Sequence, residues 1–398
     1  MALVEQQAPP LQQQQYLTLP PSSAAWLQGN VTNAVRRASD CVPDGALLLS
    51  MFGPEHMPLR RLALRRVRSQ SCLMTRTVSL CWGVAADPAS SEATCVSAPV
   101  MPLSGFRSVW YHAITWTKWE VLALAFRAGR GGGGEGDGVA TAMFVDVDVA
   151  LLVNPFLPFL PPSPVRRTTR LTDPTNLTSS AQLDDDSVGG TQGARGGIRG
   201  VLRRLQSTHD VLYQCEGSPR KPWRPASAAG ASCGDMNTGQ LVVMSHAAAE
   251  AVLARRPSVS ALNARQDAAA LPLEQQTAQA ALLSGGWSTA ALPTSYTSEC
   301  WFPTPWTQRA RASPPPPPSA VWHGRSGGEL GFPLRSDWCA LVSFHANCIY
   351  GGLGAKETRV SQLLRLTVDC GDQHARRKRL FRSFAVIAGV GRVGVARA

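Results

Sequence analysis

The chain is predicted to belong to the α/β class, and three observations carry that prediction. Largely apolar runs that suit buried strands stand at Ala46–Met51 and Val139–Val145. Between them, apolar side chains recur at Trp110, Ile114, Thr117, Val121 and Leu124, spacings of three and four that lay one stripe along a helix. An acidic pair, Asp146 and Asp148, then appears where the second apolar run stops.

Element by element, residues 1–40 read as a disordered or incomplete lead, because the start is rich in Gln and Pro. Ala46–Met51 is the first strand. An Arg-rich amphipathic stretch over Leu59–Arg68 follows, and Cys72–Trp82 is the second strand candidate. The helix predicted over Ser108–Ala128 ends in a glycine run at 129–138, which reads as a linker. A phosphate loop of the Walker type would need a preceding strand and a Lys-Ser/Thr after it, and neither is there. Asp146–Pro155 reads as the turn that leaves the Val139–Val145 strand. Residues 157–206, Pro-rich and then Thr-, Asp- and Gly-rich, read as an insertion, with Asp184–Asp186 as solvated loop. Strands are expected again at His209–Gln214 and Gln240–Met244, an Ala-rich helix at His246–Arg255 and a helical patch at Leu273–Leu283. A polyproline spacer lies near 311–320 and a last strand at Ala340–Phe344; a basic tail occupies 366–398. The folded domain is accordingly predicted to span 41–365.

Composition adds boundaries. A net charge of +12 comes almost wholly from arginine, since Lys118, Lys221, Lys356 and Lys378 are the four lysines. An Arg-, Ala-, Gly- and Pro-rich chain of this kind reflects base composition more readily than a polyanion surface, so no nucleic-acid partner is expected. Ten cysteines without a Cys-x-x-Cys pair argue against zinc ribbons and thioredoxin-like redox motifs. Asn30-Val-Thr32 and Asn176-Leu-Thr178 are glycosylation sequons. No signal peptide, membrane anchor or apolar run of spanning length is visible, so a soluble protein is one expectation.

The chemistry is concentrated at Phe144-Val145-Asp146-Val147-Asp148. Two carboxylates at i and i+2 point to the same side of an extended chain, and at the carboxyl end of a strand they face the crevice where open α/β sheets bind ligands. Hard divalent cations take carboxylate oxygens, and a diphosphate leaving group needs such a cation. Apolar residues on both sides and Asn154-Pro155-Phe156 downstream make an unpartnered carboxylate pair costly here.

With Trp116-Thr117-Lys118-Trp119-Glu120 leading into this strand, the segment through Pro155 resembles the nucleotide-diphospho-sugar transferase family that includes plant and algal extensin arabinosyltransferases and rhamnogalacturonan xylosyltransferases. The resemblance continues, in order, at Asp235-Met236-Asn237-Thr238-Gly239-Gln240, at Glu274-Gln275-Gln276, and at Phe344-His345-Ala346-Asn347 with Gly351, Gly352 and Lys356. It covers roughly 45–365. The acid-Gln block reads Glu-Gln-Gln where the family has Asp-Gln, and Gln266-Asp267 nearby leaves its register open.

The resemblance implies a GT-A, Rossmann-like fold: an open, mostly parallel sheet with helices on both faces. It makes Asp146, Asp148 and His345 ligands of Mn²⁺ or Mg²⁺, and it sets Lys356, Gly351, Gly352, Asn237, Gly239 and Lys118 around the donor, with Gly354 also letting backbone approach. Glu274, Gln275 and Asp235 become the catalytic candidates. Each has an ordinary alternative. His345 reads equally as a hydrogen-bonded core residue, Asn237-Thr238-Gly239 as a turn, Glu274 and Gln275 as a first helical turn favoured by the dipole, Lys118 as a snorkelling surface residue, and the tryptophans at 110, 116 and 119 as packing.

The implied activity is transfer of a pentose or galactose-type sugar from a nucleoside-diphosphate donor, UDP-linked, to a hydroxyl of a glycoprotein or cell-wall polysaccharide, with retention of configuration. The Golgi lumen is the compartment the resemblance implies. A metal-dependent nucleotidyl- or phosphotransferase on the same Asp pair, a non-catalytic basic binding protein and an inactive family member are the alternatives.

Overall fold

The computed structural model describes residues 18–37, 39, 41–82, 94–98, 109–128, 138–159, 205–215, 235–258, 272–293, 296–298, 341–347 and 352–367. The polyproline spacer, the tail beyond 367, most of the glycine run and of the predicted insertion, and Gly351 lie outside them.

A seven-stranded sheet organises the chain. Its strands are β1 (Ala46–Phe52), β2 (Thr77–Trp82), β3 (Thr94–Ala98), β4 (Thr141–Val145), β6 (Val211–Cys215), β7 (Met236–Val243) and β8 (Thr289–Ala291), in the order β3-β2-β1-β4-β7-β6-β8. Neighbours run parallel except at β7, which is antiparallel to both β4 and β6. Three short strands, β5 (Val149–Leu151), β9 (Tyr296–Ser298) and β10 (Ser343–His345), make a second sheet in the order β5-β10-β9. This is the open, mostly parallel α/β sheet that was expected.

Strand alternation sorts the core. Leu47, Leu49, Phe144, Tyr213 and Leu241 face one side, where α1 (Pro21–Arg36), α4 (Val109–Ala128), α5 (His246–Leu253) and α6 (Glu274–Ser284) pack. Leu48, Met143, Leu212 and Val242 face the other, against Val149, Leu151, Tyr296 and Val342 of the second sheet region and Leu64 of α2 (Met57–Leu64). Behind that sheet, Leu59 of α2 and Val360 and Leu363 of α7 (Gly352–Leu366) close a further cluster around Phe344.

Four readings are corrected. Residues 21–36 of the supposed lead form α1, with Pro21 at the first helical position, where a missing N–H costs nothing, and Leu27, Val31, Ala34 and Val35 buried as one stripe. Cys72 belongs to a helical turn, α3 (Ser71–Met74), and is joined by a disulfide to Cys41, so the strand begins only at Thr77. The turn after Asp148 contains β5, whose three residues find ladder partners in β10. Lastly, β7 begins at Met236, so Asn237 and Gly239 sit within a strand. Among the described residues no helix is long and apolar enough to cross a membrane.

Candidate metal and donor site

β4 delivers the acidic pair. It stops at Val145, and the Asp146 amide donates to the Gly239 carbonyl (2.8 Å), which ends the ladder against β7. The chain turns, with the Val149 amide donating to the Asp146 carbonyl, and re-enters as β5. There β10 runs antiparallel to β5 with His345 opposite Val149, and the Ala346 amide donates to the Asp148 carbonyl (3.0 Å). Two strands and one turn thus bring together residues about 200 positions apart in sequence.

Asp146, Asp148 and His345 each offer a ligand atom, and these atoms lie within 4.8 Å of one another. That span is close to twice the cation–oxygen distance of about 2.0–2.6 Å found for Mg²⁺ and Ca²⁺. Two carboxylates and an imidazole are a donor set that fits a divalent cation, and the three residues can hold one. His345 Nε2 is 3.2 Å from Asp148 Oδ1, and Lys356 Nζ, from the second turn of α7, donates to Asp148 Oδ2 at 2.5 Å. Burial alone would raise the Asp148 carboxyl; positive charge and hydrogen bonding led by Lys356 more than offset this and hold it well below the usual carboxylate range. Asp148 is therefore a carboxylate at any ordinary pH, as a metal ligand must be.

A second polar cluster lies beneath Asp146. Lys118 is buried on α4, not a surface residue: Nζ donates to Thr238 Oγ1 (2.9 Å) and to the Thr238 carbonyl (3.3 Å), and lies 3.6 Å from Glu274 Oε2 and 3.7 Å from Asp146 Oδ1. Glu274 accepts from Thr238 Oγ1 (2.7 Å) and from the indole N–H of Trp119. Burial works against the Lys118 charge, but Asp146 and Glu274 overcome it and raise its pKa; burial likewise raises that of Glu274, against the pull of Lys118. Trp116 and Trp119 are packing residues, fully buried.

Asn237 and Gly239 shape the strand between these clusters. Asn237 Oδ1 accepts from the Gly239 amide (2.8 Å), and pairing with β6 jumps from Leu241↔Tyr213 to Asn237↔Gln214, so 238–240 bulge out of the ladder with β6. Gly239 faces the His345 ring. A Cβ there would lie 2.7 Å from Nε2 and 2.8 Å from Nδ1, so only glycine fits. Of the other expected residues, Gly352 opens α7 at φ +78°, exposed, with Gly354 in open space two residues along. Gln275 is half-buried in the first turn of α6, and Asp235 is exposed just ahead of β7.

Sequence reasoning passed over Gln214 and Tyr296. Gln214, fully buried on β6, faces His345 Nδ1 at 2.8 Å with its Oε1 and donates from Nε2 to the Tyr296 carbonyl (3.0 Å). The Tyr296 hydroxyl donates to the Pro155 carbonyl (2.7 Å). A lone amide in the apolar run Val211-Leu212-Tyr213-Gln214-Cys215 was the available signal, since a buried amide in a strand needs partners.

No protein-family model matches the chain, and no curated protein matches it. Among solved structures, one similar chain is the galactosyltransferase LgtC in complex with donor and acceptor sugar analogues. It is 10% identical, with a TM-score of 0.36, over 83% of this chain and 99% of that one. A likeness of that size carries no chemistry across; the residues must.

Proposed function

We propose that this chain is a metal-dependent glycosyltransferase that takes its sugar from a nucleoside-diphosphate donor. The observation that carries the reading is the convergence of Asp146, Asp148 and His345 at the carboxyl end of β4, with Lys356 on Asp148. A divalent cation held by those three residues would neutralise diphosphate oxygens as the sugar–phosphate bond breaks. Lys356 adds a compact positive charge on the same side, suited to phosphate oxygens. Lys118 keeps Asp146 company from below and is itself held by Thr238 and Glu274, so the acidic pair is braced before any ligand arrives.

On the resemblance stated above, the donor is UDP-linked with a pentose or galactose-type sugar, the acceptor a hydroxyl of a glycoprotein or cell-wall polysaccharide, the outcome retention, the metal Mn²⁺ and the compartment the Golgi lumen. Glu274 and Gln275, at the head of α6, are proposed next to the reacting carbon, with Asp235 nearby.

The test is UDP release from a panel of UDP-sugars by the purified protein, with and without Mn²⁺, beside the Asp146→Ala/Asp148→Ala double variant. Release from one sugar that needs the metal and is lost in the variant supports the reading and names the donor. Absence of both turnover and metal-dependent UDP binding in the unaltered protein overturns it.

A further inference from the structure

Resting on that reading, we infer that Gln214 is a positioning residue that fixes the tautomer of His345 and so presents its Nε2 to the acidic pair as a ligand atom. The tautomer is decided by which end of the Gln214 amide faces which neighbour. A backbone carbonyl can only accept, so the group 3.0 Å from the Tyr296 oxygen is the amide NH₂. The opposite end, 2.8 Å from His345 Nδ1, is then the amide oxygen, which carries lone pairs and no hydrogen. The proton between them belongs to Nδ1. An imidazole that ligates a cation is neutral and has one N–H, so with Nδ1 protonated it is Nε2 that offers the lone pair, and Nε2 is the atom that lies 3.2 Å from Asp148 Oδ1.

Nothing in this arrangement is free to flip. Gln214 is wholly buried, and its carbonyl partner is held twice, by the pairing of Tyr296 with Ser343 in the second sheet and by the tyrosine hydroxyl on the Pro155 carbonyl. Gly239 backs the ring from the other side, where any Cβ would collide with it. The bulge in the β6–β7 pairing falls at Tyr213/Gln214, so the same irregularity sets the side chain at this position. A relay runs from the loop just past the acidic pair, through Tyr296 and Gln214, to the imidazole. Partners of this kind orient metal-bound histidines and raise their basicity, and their loss costs about 10- to 100-fold in metal affinity.

Two readouts test it, neither of which needs turnover. Long-range ¹H–¹⁵N spectra of ¹⁵N-histidine-labelled protein, with His345 assigned by comparison with His345→Gln, report the tautomer directly. The unaltered protein is expected to show Nδ1–H, and an Nε2–H pattern overturns the inference. Mn²⁺ affinity, followed by the electron paramagnetic resonance of free Mn²⁺, is expected to fall about 10- to 100-fold in Gln214→Leu. It should stay within about threefold in Gln214→Glu, which keeps an acceptor on Nδ1–H. Gln214→Leu added to His345→Ala should cost nothing further, because both act through one ligand. Unchanged affinity in Gln214→Leu, or full additivity with His345→Ala, overturns the positioning role while leaving the metal site standing. Failure of the unaltered protein to bind Mn²⁺ overturns the metal reading itself, and with it the presentation of Nε2.

Discussion

Replacing Gly239 with alanine is the sharpest probe of the site, because one methyl group is aimed at one ligand. The new Cβ would overlap His345 Cε1 and sit 2.7 Å from Nε2, so the ring has to retreat by more than about 0.7 Å to bring every atom to even the 3.4 Å at which ordinary contact begins. Neither partner can yield cheaply. The Gly239 carbonyl receives the Asp146 amide, so moving β7 drags one ligand, and moving the imidazole breaks its 2.8 Å hydrogen bond to Gln214. Overpacking of this kind costs about 1–3 kcal/mol in stability. Metal-ligand distances tolerate only about ±0.2 Å, so displacement of the ring amounts to loss of the ligand and at least a tenfold weaker Mn²⁺ complex, about 1.4 kcal/mol. Calorimetric titration with Mn²⁺ and urea unfolding measure the two effects separately. Gly354→Ala is the control: its Cβ meets nothing within 4 Å, and in a helix alanine is favoured by about 1 kcal/mol, so stability should hold or rise. If Gly239→Ala binds Mn²⁺ within about twofold of the unaltered protein and unfolds at the same urea concentration, the reasoning about the ring and the strand is wrong.

Two further outcomes are expected. Lys118→Met strands the Glu274 carboxylate in the core, a loss of about 3–5 kcal/mol by urea unfolding, and adding Glu274→Gln should recover part of it. Because burial raises the Glu274 pKa, stability tied to its protonated form is present at low pH and lost as pH rises through the folded value; the Lys118→Met deficit should therefore be smaller at pH 5 than at pH 8, and a deficit independent of both pH and the second substitution would contradict the pairing. Tyr296 is raised well above its ordinary value of 10.0 by burial, so above pH 10 the unfolded chain ionises where the folded one does not, and stability falls by up to about 1.4 kcal/mol per pH unit. Tyr296→Phe should cost about 1–2 kcal/mol at pH 8 for the bond to Pro155, and that gap should close by pH 11; a gap that stays constant would argue against a buried phenol.

Elements with their own period were legible. β1 and β4 stand out as apolar runs, α4 as a three-four stripe, and the acidic pair by its place at the end of a strand. α1 was hidden because a Gln- and Pro-rich start hid the stripe of Leu27, Val31, Ala34 and Val35, although Pro21 is itself a helix-start signal. β5 is three residues long and exists only through β10, far along the chain, so no local pattern could announce it. For Lys118 the ordinary surface reading was reasonable from sequence. What buries it is Thr238, 120 residues away, and Glu274, which also takes the indole N–H of Trp119 from 155 residues away. The pairing of Gln214 with His345, across 131 residues, is of the same kind. Long-range polar partnerships leave no periodicity, so they are read only after the strands have been placed.

The bulge at 238–240 loads three successive residues with different obligations: Thr238 toward Lys118 and Glu274, Gly239 toward Asp146 and His345, Gln240 toward Ser343. Such a stretch cannot drift one residue at a time, because a change tolerated by one neighbour disturbs a segment that two others depend on. Divergence in this protein should therefore collect in the connections between strands while Thr-Gly-Gln changes, if at all, together with its partners, making that tripeptide a better marker for relatives of the same chemistry than the acidic pair, whose pattern is common.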